Sequence, residues 1–256
     1  MRRASIFLAV LVVGLLAAPS SAFAYYEVFE RTYKLPSGGS FALSNVNGSV
    51  QVETWNREEV QIRAVKESKA NPPDESRVRI EVETSPGGVA VYTRYPQEDG
   101  LDVTVNYRIR LPKRLLHAHI ETVNGSVRIR GLEAAGELRT VNGDVELLDG
   151  AGHLSARTTN GNIRLELANL GRPDEAREPI SVETVNGSVV LELSASADAN
   201  LEVRSMDGDF QSELPLRLES SSSGQDFRGR LGRGGSTVRV RTVNGGIRVI
   251  AARDTA

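Results

Sequence analysis

The sequence contains no cysteine, one tryptophan, three histidines and two methionines in 256 residues, and aromatic residues make up 5% of it. Without cysteine an exported chain cannot be stapled by disulfides, so stability has to come from core burial and backbone pairing. Few aromatics beside many Val, Ile, Leu and Gly residues fit thin, stacked β layers better than one large globular core. An excess of either charge is also missing: 31 basic residues stand against 33 acidic ones. That balance gives no reason to expect nucleic acid or another polyanion as partner. The sequence has no Gly-x-Ser-x-Gly, no phosphate loop and no zinc motif, and beyond its first residues no convincing helical period.

Long hydrophobic runs are absent except at the N-terminus. Met1-Arg2-Arg3 is followed by an apolar run from Ile6 to Ala18 and then by Ala22-Phe23-Ala24, the order of a secretory signal peptide. The run is 13 residues, short of the roughly 20 that span a bilayer. Residues 1–24 are therefore expected to be a cleaved signal peptide, with an uncleaved anchor as the alternative. The mature protein would be periplasmic or extracellular and would have no transmembrane segment. Cleavage removes Arg2 and Arg3 and no acid, which leaves 29 basic against 33 acidic residues. No cysteine follows the run to accept a lipid.

What the sequence does have is a repeat. Ser44-Asn45-Val46-Asn47-Gly48-Ser49-Val50 returns as Glu121-Thr122-Val123-Asn124-Gly125-Ser126-Val127 and as Arg139-Thr140-Val141-Asn142-Gly143-Asp144-Val145. Looser copies stand at Asn160-Gly161, Asn186-Gly187, Asp207-Gly208 and Asn244-Gly245. Four residues before each turn Asn or Asp is an apolar residue: Leu43, Ile120, Leu138, Ala156, Val182, Val203 and Val240. Three after it come Val50, Val127, Val145, Ile163, Val189, Phe210 and Ile247. Charged residues such as Glu121, Arg128, Arg139, Glu146, Arg157 and Arg164 alternate with these. Period-2 alternation on both sides of a turn means two half-buried strands per copy, with glycine supplying a positive φ.

Asn-Gly between alternating strands also signals an antiparallel hairpin. The spacing favours a solenoid instead. Asn124, Asn142 and Asn160 follow at intervals of 18 residues, and longer intervals place their extra residues in stretches such as 171–179 and 220–236. Stacking in register sets Arg128, Glu146 and Arg164 in alternating sign and Glu121 against Arg139, with Arg139 and Arg157 as a like pair. The expectation is an all-β protein: a parallel β-solenoid of short strands over residues 117–256, after an N-terminal β region, 25–116, with antiparallel or sandwich character. That region contains the Asn71-Pro72-Pro73-Asp74 loop and longer alternating segments at 78–84, 89–95 and 101–111.

These features resemble the bacterial family of exported β-strand-repeat adhesin-like proteins called DUF4097. The likeness is carried by Asn47-Gly48-Ser49-Val50-Gln51-Val52-Glu53-Thr54-Trp55-Asn56-Arg57-Glu58-Glu59-Val60, by the recurring Thr-Val-Asn-Gly-Ser-Val, and by residues 232–249. The resemblance implies a β-helix-like fold and an envelope or extracellular setting. It brings no catalytic motif.

Candidate chemistry is sparse. The turn asparagines suit a structural amide ladder or a glycan-binding stripe, and the threonines two positions before them suit a hydroxyl ladder or an exposed array. His117 and His119 share a strand face, but the remaining histidine, His153, lies beside Gly150-Ala151-Gly152. Asp144, Asp207 and Asp209 are turn residues without the dense glycine–aspartate repeat of calcium-binding β-rolls. Glu121, Glu146, Glu166, Glu183 and Glu192 could supply the carboxylate pair of a β-helix polysaccharide hydrolase or lyase. Trp55 is read as covering the end of a core, with a sugar-stacking platform as the alternative. The Ser220–Gln225 run with Arg228, Arg230 and Arg233 is read as a flexible, basic, solvated loop, with a contact for acidic lipid or glycan as the alternative. The expected function is a non-enzymatic, exported binding or structural module of the cell envelope with no cofactor or metal. Its partner would be an envelope protein or glycan. A carbohydrate-active enzyme or an accessory part of envelope-stress signalling are the alternatives.

Overall fold

The structure is a computed structural model describing residues 25–68, 74–96, 101–171, 179–222 and 226–252. The expected signal segment, the Asn71–Pro73 part of the proline loop, residues 172–178 and residues 223–225 lie outside the described residues. In chain order the strands are β1 (Tyr25–Lys34), β2 (Ser40–Ser44), β3 (Val50–Trp55), β4 (Glu59–Ser68), β5 (Arg79–Ser85), β6 (Gly88–Arg94) and β7 (Val103–Pro112). They continue as β8 (Arg114–Glu121), β9 (Val127–Arg130), β10 (Glu133–Arg139), β11 (Val145–Ala151), β12 (Leu154–Arg157), β13 (Ile163–Asn169) and β14 (Ile180–Glu183). The last seven are β15 (Val189–Leu193), β16 (Ala199–Asp207), β17 (Phe210–Ser212), β18 (Arg217–Ser222), β19 (Asp226–Leu231), β20 (Ser236–Asn244) and β21 (Ile247–Ala251).

Each Asn-Gly copy is one corner of a two-strand rung, not the tip of a hairpin. The strand before the corner belongs to a first parallel stack, β6-β2-β8-β10-β12-β14-β20-β16. The strand after it belongs to a second, β7-β3-β9-β11-β13-β15-β21-β17. Inward residues of both stacks, among them Leu43, Ile120, Leu138, Val127, Val145 and Leu147, are fully buried and merge into one apolar cluster. The predicted registers hold: Glu146 lies between Arg128 and Arg164, Arg139 beside Glu121, and Arg139 beside Arg157.

Spatial order departs from chain order at both ends. The rung β2/β3 sits between β6/β7 and β8/β9, so the chain crosses from β7 to β8 past a rung already in place. At the other end β16/β17 is built one place further out, and β20/β21 returns to fill the gap beside β14/β15. Antiparallel strands then extend the ends. β4 and β1 continue the second stack beyond β7, β5 lies outside β6, and β19 and β18 lie outside β16. Antiparallel pairing within the expected N-terminal region, 25–116, comes from β1, β4 and β5 alone. The strands β2, β3, β6 and β7 are rungs of the parallel stacks, so the stacks begin before residue 117. The C-terminal end carries antiparallel strands too. Covering a parallel stack in this way hides edges that would otherwise template pairing with other chains.

Candidate functional site

The corner is the most repeated polar feature, and it is occupied by its own side chains. Asn124, Asn142, Asn160, Asn186 and Asn244 each donate an Nδ2 hydrogen to Oδ1 of the asparagine on the preceding rung, beginning with Asn47, at 2.7–2.8 Å. The next rung outward carries Asp207 beside Asn244, and a carboxylate has no amide hydrogen to continue the series. Two residues earlier, Thr122, Thr140, Thr158, Thr184, Thr242 and Ser205 are buried. Their hydroxyls do not bond to one another. Each donates to the carbonyl of the corner glycine one rung back, Gly48, Gly125, Gly143, Gly161, Gly187 and Gly245 respectively, at 2.8–3.1 Å. A third series follows the glycine: Asp144 N–H donates to Ser126 Oγ, Asn162 N–H to Asp144 Oδ1 and Ser188 N–H to Asn162 Oδ1.

The glycines are required for a different reason from the one the sequence suggests. Gly125, Gly161, Gly187 and Gly208 lie outside the positive-φ region, although Gly48, Gly143 and Gly245 have φ of 123°, 159° and 151°. A Cβ at Gly125 would instead overlap the Gly48 carbonyl oxygen. The same overlap recurs for Gly143 on Gly125, Gly161 on Gly143, Gly187 on Gly161, Gly245 on Gly187 and Gly208 on Gly245. Close approach of stacked backbones, more than turn dihedral, selects glycine. Between the buried hydroxyls and the asparagines runs a partly exposed apolar line including Val46, Val123, Val185 and Met206.

The other candidates are scattered. His119 Nε2 lies 3.6 Å from Glu121 Oε2, while both ring nitrogens of His153 are buried without a hydrogen-bond partner. Among the described residues no cluster of three or more His, Asp or Glu side chains could hold a metal ion. Of the five glutamates, Glu146 contacts Arg128 and Arg164, Glu183 contacts Arg157 and Arg241, and Glu192 is buried against Arg164 at 2.6 Å. Glu192 also holds the Arg164 guanidinium above its usual range. Glu121 accepts from Ser44 Oγ. Glu166 stands next to Glu192 in register.

Trp55 is half-buried, donates its indole N–H to Glu59 O at 2.8 Å, and has the guanidiniums of Arg57 and Arg110 over its ring at 5.0 and 5.9 Å. The described part of the segment read as a basic loop forms the antiparallel β18–β19 pair, in which Phe227 and Leu231 alternate with polar residues and face inward. Its charge is largely met: Arg230 pairs with Glu219, and Arg233 with Asp198. The Arg233 backbone N–H and guanidinium hold the Asp198 carboxyl below its usual range, as Arg204 does for Asp226.

One outward surface gathers arginines from several strands. At the N-terminal end of the second stack, a cavity of about 510 Å³ is lined by Glu30, Gln51, Glu53, Gln61, Arg63, Arg108, Ile109 and Arg110. Composition alone could not reveal it, because Arg63 and Arg108 become neighbours only through the antiparallel β4–β7 pair. The Arg-x-Arg spacings at 108–110 and 128–130 were the available signal.

Two parallel stacks, joined at a corner of amide, hydroxyl and glycine series and closed by antiparallel strands, define a strand-repeat scaffold of the β-solenoid class. The chain belongs to the Toastrack DUF4097 family, whose model matches residues 39–250. Solved structures with a similar course include a candidate cell adhesion protein from Clostridium sporogenes, at 11% identity and a TM-score of 0.47, covering 88% of this chain and 100% of that one. A candidate adhesin from Bacteroides fragilis is 12% identical with a TM-score of 0.43, covering 87% of this chain and 97% of that one. A candidate lipid-binding protein from Parabacteroides distasonis is 10% identical with a TM-score of 0.28, covering 88% and 97%. None of the curated proteins matches the chain.

Proposed function

We propose that the protein is a non-enzymatic, exported module of the cell envelope that works by binding, as an adhesin does, through its outward strand faces. The observation that carries this reading is the self-satisfied corner. Side chains that recur from rung to rung direct their hydrogen bonds to the neighbouring rung, so the repeat builds a rigid support and leaves recognition to residues that differ between rungs. The outward glutamates of the middle rungs fit this role as well. Glu146, Glu183 and Glu192 are held in ion pairs with arginines of adjacent rungs, whereas a glycosidase sets two carboxyl groups across a substrate groove. Export rests on the Arg2-Arg3, apolar and Ala22-Phe23-Ala24 order of the first residues.

The test is retention of envelope glycans and envelope proteins by the purified protein, with release of reducing sugar ends followed in the same samples. Saturable retention without release is expected. Release of reducing ends would establish the polysaccharide-cleaving alternative, and absence of retention from every ligand would overturn the binding role.

A further inference from the structure

We infer that the N-terminal end of the second stack is a binding site for an extended acidic polysaccharide. The inference rests on the binding role above and names its ligand class. Four strands lie side by side there in the order β4-β7-β3-β9. Their outward residues form two rows: Arg63-Arg108-Gln51-Arg128 and Gln61-Arg110-Glu53-Arg130. Five arginines, two glutamines and one glutamate thus share one face of a protein whose overall formal charge is −2.

Several neighbouring charges are balanced across the middle rungs, as in Arg128–Glu146–Arg164–Glu192 and Glu137–Arg157–Glu183, although Arg139 with Arg157 and Glu166 with Glu192 are like pairs in register. Here Arg63 stands directly opposite Arg108, and like charges in direct cross-strand register destabilise a sheet. Glu30 contacts Arg63 at 3.5 Å, but Arg108, Arg110 and Arg130 have no carboxylate within ion-pair distance among the described residues. A concentrated positive field that costs folding stability is what an anion site requires.

The form of the site indicates the anion. Arginine offers a planar fork matched to carboxylate, and glutamine amides among the arginines suit sugar hydroxyls. Arg108 and Arg128 are two strands apart, as are Arg110 and Arg130, a separation of about 9.4–9.8 Å at ordinary strand spacing. That step is comparable to the disaccharide repeat of an extended polysaccharide, in which alternate sugars present the same face. The cavity covers the β1, β4, β7 and β3 part of this face, with Arg63, Arg108 and Arg110 in its lining, and gives a chain of sugars depth to lie in there. Tyr26 and Val28 are exposed on the neighbouring β1, which makes an anionic membrane surface the competing ligand.

The test measures binding of a hyaluronan octasaccharide, which carries one carboxylate per disaccharide, by calorimetry at low and physiological salt. Chitohexaose serves as the neutral glycan and phosphatidylglycerol vesicles as the anionic membrane. Binding of the octasaccharide, weakened by salt, is expected. The Arg108→Gln and Arg130→Gln variants should each weaken it about tenfold. Arg108→Gln should also melt no lower than the unsubstituted protein, because it removes the like-charge contact with Arg63, whereas a purely structural arginine would lose stability when replaced. Arg233→Gln, at the opposite end, should bind unchanged. Binding of octasaccharide and chitohexaose alike, preference for vesicles, or full affinity in both the Arg108 and Arg130 variants would overturn this assignment while leaving the broader binding role intact. Failure to retain any ligand would remove both.

Discussion

Gly143 has the Gly125 carbonyl oxygen where a Cβ would go, and Thr140, three residues earlier, donates its hydroxyl to that same oxygen at 2.8 Å. The two residues form one device: glycine lets adjacent backbones close up, and threonine satisfies the carbonyl left buried there. Gly143→Ala should therefore destabilise by about 3 kcal/mol or more, since the clash is with backbone that cannot turn aside. Thr140→Val should cost about 1–3 kcal/mol by leaving that acceptor unpaired, and Thr140→Ser clearly less. Chemical denaturation of the three variants checks the order, and an alanine at 143 as stable as the native glycine would refute the stacking account. The turn positions could be read in the sequence because Asn-Gly is a strong local signal. The reason for glycine could not, because the atom it avoids belongs to a residue 18 positions away in the chain.

At the scale of elements, the ends are held differently from the middle. At the N-terminal end the Tyr107 hydroxyl is buried against Thr93 at 2.7 Å, and the Tyr95 hydroxyl donates to Val103 O at 3.0 Å. Burial pushes the Tyr95 phenol up to about 12 and Tyr107 upward as well. A raised phenol favours the folded state fully below its unfolded value of about 10 and loses that contribution as pH climbs through the folded value. Melting temperature should hold through pH 9 and fall between about pH 10 and 12, as tyrosinate absorbance rises. A protein with ordinary, solvent-like tyrosines would ionise before it unfolds.

The C-terminal end responds to acid instead. Hydrogen bonds from Arg233 and Arg204 lower Asp198 and Asp226, so their contribution is present above about pH 3.9 and lost as pH falls through the depressed values. Protection of the β19 amides, measured against the intrinsic exchange rate at each pH, should fall at pH 3 relative to pH 6 while that of β11 holds. An equal fall in both would argue against a locally held end. This strand pair was hidden in the sequence by its serine run and glycine, which read as loop, while the inward positions of Phe227 and Leu231 depend on its partner β16.

For the whole molecule, the rung geometry was legible because strand alternation and an 18-residue interval act locally, and they give the parallel registers of β9, β11 and β13. The order of the rungs was not legible. Nothing in the intervals between Asn186, Asp207 and Asn244 distinguishes a chain that stacks in sequence from one that leaves a gap and fills it last. The arginine face has no local signature for the same reason, being assembled from β4, β7, β3 and β9 by topology alone. The rung order can be measured directly because the protein has no cysteine of its own. Asn186 and Asn244 occupy adjacent rungs, with Asp207 one rung further out. Cysteines replacing Asn186 and Asn244 should therefore form a disulfide readily, their Cα atoms being about 4.7–4.9 Å apart at ordinary strand spacing. Cysteines replacing Asn186 and Asp207, separated by two rungs or about 9.4–9.8 Å, should not. A disulfide between positions 186 and 207, with none between 186 and 244, would contradict the out-of-order stack on which this account of the fold depends.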